Sequence, residues 1–123
     1  QLSLIQSHII KNKIKTDLIQ CPTIREENGV AISSRNSKLS KKQLQNAGKI
    51  YKFIKYNKKL ILYKILRKKR YEILEKLNQL GATKIDYIEC VSLINKKICK
   101  KTKSNFNVFI AYYIGNVRLI DNL

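Results

Sequence analysis

The sequence contains no methionine, and its first residue is Gln1. A complete translation product keeps its initiator unless the second residue is small, and glutamine is not small. We therefore expect the 123 residues to be a piece of a longer protein. Long apolar runs are also missing, because the longest covers only a few residues, as in Leu60–Tyr63, whereas a membrane-spanning helix needs roughly 20. The beginning of the chain carries internal Lys and Asp instead of an apolar core with a cleavage site, so it does not resemble a signal peptide.

Cysteine and histidine are too few and too scattered to predict a metal site or a disulfide framework. The three cysteines, Cys21, Cys90 and Cys99, form an odd set without CxxC or Cys/His spacing, and His8 has no metal-ligand partner near it. We interpret the cysteines as small core or boundary residues and His8 as a surface or boundary residue. This usage fits a reducing cytosol, so we expect a cytoplasmic protein without metal ligands in this chain.

Acidic residues are scarce, since 8 Asp and Glu against 26 Lys and Arg give a formal charge of +18 and a pI near 10.0. A field of this sign attracts polyanions. Two explanations stay open. The chain is crowded with Lys, Ile and Asn, whose codons are AT-rich, so the base composition of the genome can produce the charge without a selected partner. Alternatively, the Lys-rich segments with their interleaved tyrosines form a small RNA- or ribosome-binding module.

The chain begins with a predicted helix and a short apolar segment. Apolar residues recur at i, i+3 and i+7 from Leu2, which predicts a helix over residues 1–12. Asp17–Cys21 is mainly apolar and stops at Pro22, as is typical of a buried strand that leads into a loop. A helix followed by a strand is the half-unit of a doubly wound α/β domain. We therefore expect this segment to finish a Rossmann-like nucleotide-binding domain.

Residues 22–40 contain the densest cluster of Gly, Asn, Ser and Pro in the chain, which predicts a loop. The Asn28-Gly29 pair can supply the positive φ of a tight turn. Ser40 then precedes apolar residues at helical spacing, with Gln43 at the position of a capping-box partner. A helix is therefore predicted to begin directly after the loop.

A second helix is predicted over about 60–80, with Gly81 providing a left-handed C-cap. The two helices would join near Tyr56–Lys59 and pack as a pair against a small sheet. The aromatic residues of these helices fall on or near their apolar stripes, so we expect burial of much of the set Tyr51, Phe53, Tyr56, Tyr63 and Tyr71.

The last third of the chain predicts an antiparallel sheet. Ile85–Val91 alternates and contains aromatic and β-branched residues, and Asn107–Ile114 is a stronger apolar run. Gly115-Asn116 is a turn signal before Val117–Ile120, so the last two strands should form a hairpin. The predicted fold class is α/β followed by α+β: the end of a Rossmann-like domain, then a small domain of two helices and a short antiparallel sheet.

The segment Cys21–Asn36, with the sequence CPTIREENGVAISSRN, closely resembles the pantothenate synthetase (pantoate–beta-alanine ligase) signature. In that signature a Pro-X-X-Arg stretch leads through an acidic loop and Gly to a Met-Ser-Ser-Arg-Asn core. Gln1–Ile5 is similar to the start of the helix that follows the family's Gly-Glu-Lys-Asp segment, and Gly115–Asn122 is similar to the family's terminal strand pair. The resemblance identifies the chain as the carboxy-terminal portion of such an enzyme.

The resemblance implies an ATP-dependent ligation in two steps. Pantoate attacks the α-phosphate of ATP to give pantoyl adenylate and pyrophosphate, and the amine of beta-alanine then displaces AMP to form pantothenate. Magnesium accompanies the ATP. The family's His-containing phosphate-binding motif and its Gly-Glu-Lys-Asp segment would lie upstream of Gln1, so we expect this chain alone to be inactive.

The resemblance also assigns roles to six residues. In the family, the position of Gln1 hydrogen-bonds pantoate. The positions that contact ATP are those of Ile24, Ile32, Ser33, Ser34 and Arg35. Arg35 would stabilise charge on the departing pyrophosphate, because a guanidinium presents donors in a geometry that lysine cannot reproduce. The sequence departs from the family pattern at Ile32, which is usually Met, and at Lys41-Lys42, where Pro-Glu is common.

Three regions follow from these interpretations. Residues 1–21 would be the tail of the nucleotide-binding domain, 22–40 the ATP-binding loop and hinge, and 41–123 a lid-like domain that closes on ATP. Arg25 would tie the loop structurally, and Arg118 and Asp121 would hold the terminal hairpin to the helical pair. Family resemblance implies pantoate and beta-alanine as substrates and a homodimer formed through the missing part, with no membrane contact and no nucleic-acid partner beyond non-specific charge attraction.

Overall fold

The computed structural model describes residues 2–101 and 105–123. In this part of the chain, four α-helices precede three β-strands, and a short 3₁₀ helix lies between the first two α-helices. The elements are α1 (Leu2–Lys11), the 3₁₀ helix (Ser34–Lys38), α2 (Lys41–Tyr56), α3 (Lys58–Leu66), α4 (Arg70–Gln79), β1 (Lys84–Ser92), β2 (Phe106–Ile114) and β3 (Val117–Asn122).

Helix α1 confirms the first predicted helix, but no residue of α1 is buried. The strand predicted at Asp17–Cys21 is wrong, because residues 14–24 form neither helix nor strand. A strand needs a neighbouring strand to satisfy its backbone, and none of the described residues forms a strand pair with Asp17–Cys21. The side chain of Ile19 is accordingly 81% exposed. The described residues therefore do not show the expected Rossmann-like half-unit.

The start of α2 follows the local sequence as predicted. Ser40 is the N-cap, its hydroxyl accepts a hydrogen bond from the Gln43 backbone N–H at 3.2 Å, and the Gln43 side chain accepts one from the Ser40 N–H at 2.8 Å. This reciprocal pair satisfies two backbone donors that the first helical turn leaves open. The capping box sets the direction in which the chain leaves the loop.

The helix predicted over 60–80 is instead two helices, so the domain has three helices where two were expected. The chain breaks at Lys68, whose φ of 59° is incompatible with helix continuation, and the Lys69 N–H donates to the Lys64 carbonyl at 2.8 Å. The new corner is held by the Glu72 carboxylate, which pairs with Lys64 on α3 and lies 3.7 Å from the Lys69 ammonium. Apolar residues keep a regular helical spacing on both sides of this corner. The spacing therefore predicted one continuous helix and gave no sign of the break.

The three strands form an antiparallel sheet in the order β1-β2-β3, in agreement with the prediction. Ile88 pairs with Ile110 across the first ladder, and Ala111 pairs with Ile120 across the second. The predicted hairpin turn at Gly115-Asn116 joins β2 and β3, and Gly115 has a φ of 57°. Gly at the first turn position suits the twist of a two-residue hairpin.

One hydrophobic core lies between helices α2 to α4 and the sheet. Its fully buried members come from every one of these helices and from the first two strands: Ile50, Ile54, Ile61, Leu62, Ile73, Leu77, Ile88, Val108 and Ile110. Isoleucine and leucine fill the apolar stripes, so three of the tyrosines expected inside lie outside instead. Tyr56 is 76%, Tyr63 47% and Tyr71 62% exposed, whereas Tyr51 and Phe53 are half-buried.

Two of the three cysteines, Cys90 and Cys99, belong to this core, while Cys21 is exposed. Burial raises the pKa of the Cys90 thiol to about 12. None of the helices in the described ranges has the length and apolarity that a bilayer crossing requires.

Candidate functional site

The loop before α2 is a small hairpin built around a tight turn. Arg25 and Ala31 form an antiparallel bridge, and the Glu26 N–H donates to the Val30 carbonyl at 2.8 Å. Gly29 has a φ of 92°, which confirms the predicted turn at Asn28-Gly29. A methyl group on Gly29 would lie 2.1 Å from the Tyr51 ring, so α2 packs directly against the turn. The loop thus has a defined shape although it contains little regular structure.

Ile24 and Ile32 are brought together by this hairpin, because the Ile32 N–H donates to the Ile24 carbonyl at 3.0 Å. Their side chains are 74% and 57% exposed. Two exposed isoleucines beside each other offer an apolar surface to a flat partner. The structure therefore places these two expected site residues opposite each other on the two arms of the small hairpin, each next to the Arg25–Ala31 bridge.

Ser33, Ser34 and Arg35 form the turn from this hairpin into the 3₁₀ helix. Ser33 is extended, with φ −152° and ψ 147°, and its hydroxyl accepts a hydrogen bond from the Arg35 N–H at 3.2 Å. The Ser34 carbonyl accepts from the Ser37 hydroxyl at 2.8 Å. The Arg35 side chain is exposed, and none of the carboxylates in the described residues pairs with it. Its guanidinium is available to an anionic ligand.

Asn36 anchors the end of this turn inside the protein. Its side-chain N–H donates to the Ala31 carbonyl at 3.1 Å, and the residue is only 9% exposed. The hydrogen bond ties the 3₁₀ helix back to the hairpin. Sequence reasoning recognised Asn36 as the end of the matching segment and did not anticipate this buried role.

A cavity of about 240 Å³ lies between the loop, α2 and the last two strands. Ile32, Ser33 and Arg35 line it from the loop, whereas Ile24 and Ser34 do not. The rest of its lining comes from α2, from the last two strands and from the chain end: Ile50, Tyr51, Ile54, Ile110, Tyr112, Arg118, Leu119, Ile120, Asp121 and Leu123. The structure thus gathers three of the expected site residues at one cavity. Gln1 lies outside the described residues.

Two ion pairs account for the other charges on the cavity wall. Arg118 donates to Asp86 on β1 at 2.7 Å, and Asp121 accepts from Arg25 at 2.7 and 3.0 Å. The pairing raises the pKa of Arg25 above its ordinary value. Within the described wall, Arg35 is therefore the charge without a partner, and the cavity mouth is suited to an anion.

These pairs correct one expectation and support another. Arg118 and Asp121 do not hold the hairpin to the helices, because Arg118 on β3 pairs with Asp86 on β1, across the central strand, and Asp121 pairs with the loop. Arg25 does tie the loop, and its guanidinium also lies 4.8 Å from the centre of the Tyr51 ring. Arg25 and Asp121 are 96 residues apart in sequence, so no local pattern could have paired them.

A family model described as pantoate-beta-alanine ligase matches residues 1–123. The chain belongs to this family. It is 37% identical over 124 residues to the pantothenate synthetase of Clostridium botulinum (strain ATCC 19397 / Type A). This alignment covers 99% of this chain and 44% of that protein. It is 33% identical over 128 residues to the bifunctional pantoate ligase/cytidylate kinase of Trichodesmium erythraeum, of which it covers 24%. The chain thus spans less than half the length of these relatives.

Solved structures of the family share the fold. A pantoate-beta-alanine ligase from Francisella tularensis, crystallised with beta-gamma ATP and beta-alanine, superimposes with a TM-score of 0.65 at 35% identity. The match covers 100% of this chain and 39% of that one. The pantothenate synthetase of Thermus thermophilus gives a TM-score of 0.78 at 22% identity, over 99% of this chain and 45% of that one. The resemblance inferred from Cys21–Asn36 is confirmed.

Proposed function

We propose that this chain is the carboxy-terminal part of an ATP-dependent ligase that condenses pantoate with beta-alanine. The family match over residues 1–123 carries the proposal. A pantoate carboxylate oxygen would bond to the α-phosphorus of ATP as the bond to pyrophosphate breaks. The beta-alanine amine would then attack the acyl carbon of the adenylate, lose a proton and release AMP.

In this proposal the cavity mouth near Arg35 receives the phosphate end of ATP. Arg35 has no competing carboxylate among the described residues, and a preorganised guanidinium stabilises negative charge as it develops on pyrophosphate. Ser33 and Ser34 would add hydroxyl and backbone donors, and the exposed pair Ile24 and Ile32 would contact the nucleotide. Gln1 would orient pantoate by hydrogen bonds and take no part in bond making.

The described residues do not provide a protein-bound magnesium site. They contain no group of three His, Cys, Asp or Glu residues placed to hold a metal, and the carboxylate on the cavity wall, Asp121, is engaged by Arg25. We therefore assign Mg²⁺ no ligand in this chain and derive no step through it; it would arrive with the phosphates of ATP.

The proposed enzyme is completed by sequence outside this chain. We propose that residues 1–21 belong to a nucleotide-binding domain, 22–40 to the ATP loop and hinge, and 41–123 to a lid that excludes water from the adenylate. The exposed apolar side chains of α1, such as Leu4 at 74% and Ile10 at 69%, support contact with a further domain. We also propose that the full-length enzyme is a cytoplasmic homodimer and that this chain by itself is inactive.

The test is pantoate-dependent ATP–pyrophosphate exchange by the product of the complete reading frame that contains this chain. Arg35→Ala should lower the exchange rate by roughly 100-fold or more, the scale for losing one preorganised charge stabiliser. Lys38→Ala is the matched control, because Lys38 is an exposed cation on the same 3₁₀ helix and does not line the cavity. Near-normal exchange in Arg35→Ala would remove this residue from the site.

A second candidate function, RNA binding, is favoured by the exposed tyrosines of α2 to α4. Residues 41–70 contain twelve Lys or Arg and no Asp or Glu. Tyr56, Tyr63 and Tyr71 lie exposed among these cations, and the Arg67 guanidinium lies 5.5 Å from the Tyr63 ring centre. A cationic surface with exposed aromatic rings is the arrangement by which proteins bind single-stranded nucleic acid.

Oligouridylate binding at about 0.15 M salt tests this candidate, because attraction by charge alone weakens steeply with salt. Replacing both Tyr56 and Tyr63 with alanine keeps every charge and should weaken binding by about 1–3 kcal/mol for each base that loses its stacking partner. Tyr87→Ala is the control on the sheet. If wild type, the double variant and Tyr87→Ala bind with equal affinity, the tyrosines do not stack on bases. The binding is then only the attraction of a cationic surface for a polyanion.

A further inference from the structure

The Arg25 side chain makes three hydrogen bonds that join the loop to the far end of the chain. One guanidinium nitrogen donates to the Gly29 carbonyl at 3.0 Å and to Asp121 at 2.7 Å, and the other donates to the second Asp121 oxygen at 3.0 Å. The two side chains are only 20% and 14% exposed. The Tyr51 ring lies against the guanidinium at 4.8 Å. This is a two-pronged, largely buried pair and not a mobile surface contact.

The pair controls the position of the loop through a short series of contacts. Arg25 forms the backbone bridge with Ala31, and the Ala31 carbonyl accepts a hydrogen bond from the side chain of Asn36 in the middle of the 3₁₀ helix. Ser33 and Arg35 lie between those two fixed points. A movement of Arg25 relative to β3 would therefore move the segment that carries them.

The pair also sets the charge of the cavity wall. Asp121 lines the same cavity as Ser33 and Arg35. While Arg25 holds both carboxylate oxygens, the negative charge of Asp121 is compensated. Without Arg25, that carboxylate would repel an anionic ligand and would compete with it for nearby guanidinium groups.

We propose that Arg25 is a positioning residue for nucleotide binding, which acts by fixing the loop and by neutralising Asp121. This inference rests on the proposed function, in which phosphates bind near Arg35. It assigns Arg25 no contact with the reacting atoms. It differs from a purely structural tie in one respect: the damage caused by losing Arg25 depends on the charge of residue 121.

The experiment compares Arg25→Ala, Asp121→Asn and the double variant in the complete reading-frame product, with kcat and the KM for ATP measured by pyrophosphate exchange. Arg25→Ala should raise the KM for ATP by about 10-fold or more, with a smaller change in kcat. The double variant should recover at least about 3-fold of that loss, because the uncompensated carboxylate is gone. A double variant no better than Arg25→Ala would overturn the proposal.

Arg25→Lys provides a second measurement that does not depend on the folding of Arg25→Ala. Lysine keeps a positive charge beside Asp121 but cannot make the two-pronged contact, so the KM for ATP should stay within about 3-fold of wild type while the melting temperature falls. A KM for ATP about 10-fold or more above wild type in Arg25→Lys would contradict neutralisation as the mechanism. Arg70→Ala, which breaks the 2.8 Å pair with Glu89 away from the cavity, is the matched control and should leave the KM unchanged.

The two proposals fail in different ways. If the wild-type product shows no pantoate-dependent exchange, the proposed function and this inference are both overturned. In a second outcome, wild type catalyses pantoate-dependent exchange and Arg35→Ala does not, but removing the Asp121 charge does not lower the raised KM for ATP of Arg25→Ala. The ligase assignment then stands, and only the role given to Arg25 is wrong.

Discussion

Replacing Gly29 with alanine adds one methyl group at the tightest point of the loop. The new Cβ would lie 2.1 and 2.2 Å from two ring carbons of Tyr51, far inside van der Waals contact. Gly29 also has a φ of 92°, a region that alanine rarely adopts. Both effects should destabilise the folded chain, and the structure separates them, because only the steric one requires Tyr51.

The backbone effect should cost about 1–2 kcal/mol, the usual penalty for a non-glycine residue with left-handed geometry. The overlap with the ring should add about 1–3 kcal/mol, the range for overpacking a filled site. Gly29→Ala should therefore lower the free energy of unfolding by about 2–5 kcal/mol in total. In a Tyr51→Ala background the ring is absent, so the same change should cost only about 1–2 kcal/mol.

Urea unfolding of the four proteins, followed by circular dichroism, gives the coupling energy between the two positions. We expect about 1–3 kcal/mol. A coupling below about 0.5 kcal/mol, the usual limit of additivity, would show that the ring does not oppose the methyl group and would refute the packing described for this turn.

Three further predictions concern the core, a cap and the cysteines. Leu77→Ala, at a residue with no exposed surface, should lower the free energy of unfolding by about 2–5 kcal/mol in urea titrations, whereas Tyr56→Ala on the surface should change it by less than about 0.5 kcal/mol. Ser40→Ala removes the α2 capping box and should cost about 0.5–2 kcal/mol in the same measurement; no change would mean that the cap is not needed. In native protein at pH 8, iodoacetamide should label exposed Cys21 quickly and buried Cys90 very slowly. Burial raises the pKa of Cys90 to about 12, so almost none of this residue is present as the reactive thiolate. Mass spectrometry of the labelled peptides checks the order of labelling.

The same pKa shift predicts a loss of stability in alkali. The folded state keeps the Cys90 proton up to about pH 12, whereas an unfolded thiol releases it near the ordinary value of 9.0. The contribution of this thiol to stability is therefore complete below pH 9.0 and is lost as the pH rises toward 12. Cys90→Ala should show a shallower decline in its urea midpoint over that interval, and identical slopes would contradict the assignment.

Local elements followed from the sequence where a short pattern carries the physical cause. The capping box at Ser40, the turn at Asn28-Gly29 and the terminal hairpin all depend on neighbouring residues, and all three are present. The same reasoning failed where a segment depends on a distant partner. Asp17–Cys21 has the composition of a strand but no paired neighbour among the described residues, and the corner at Lys68 interrupts a continuous apolar period.

The candidate site divides in the same way. The sequence by itself determined the family, because Cys21–Asn36 is a continuous segment whose order of residues is specific, and it directed attention to Ser33 and Arg35. Only the tertiary structure decided that Asp121 lines the same cavity as these two residues and is held by Arg25. The physical reason is that a hydrogen bond acts over about 3 Å in space, whatever the separation in sequence, so contacts between distant segments exist only after the chain has folded.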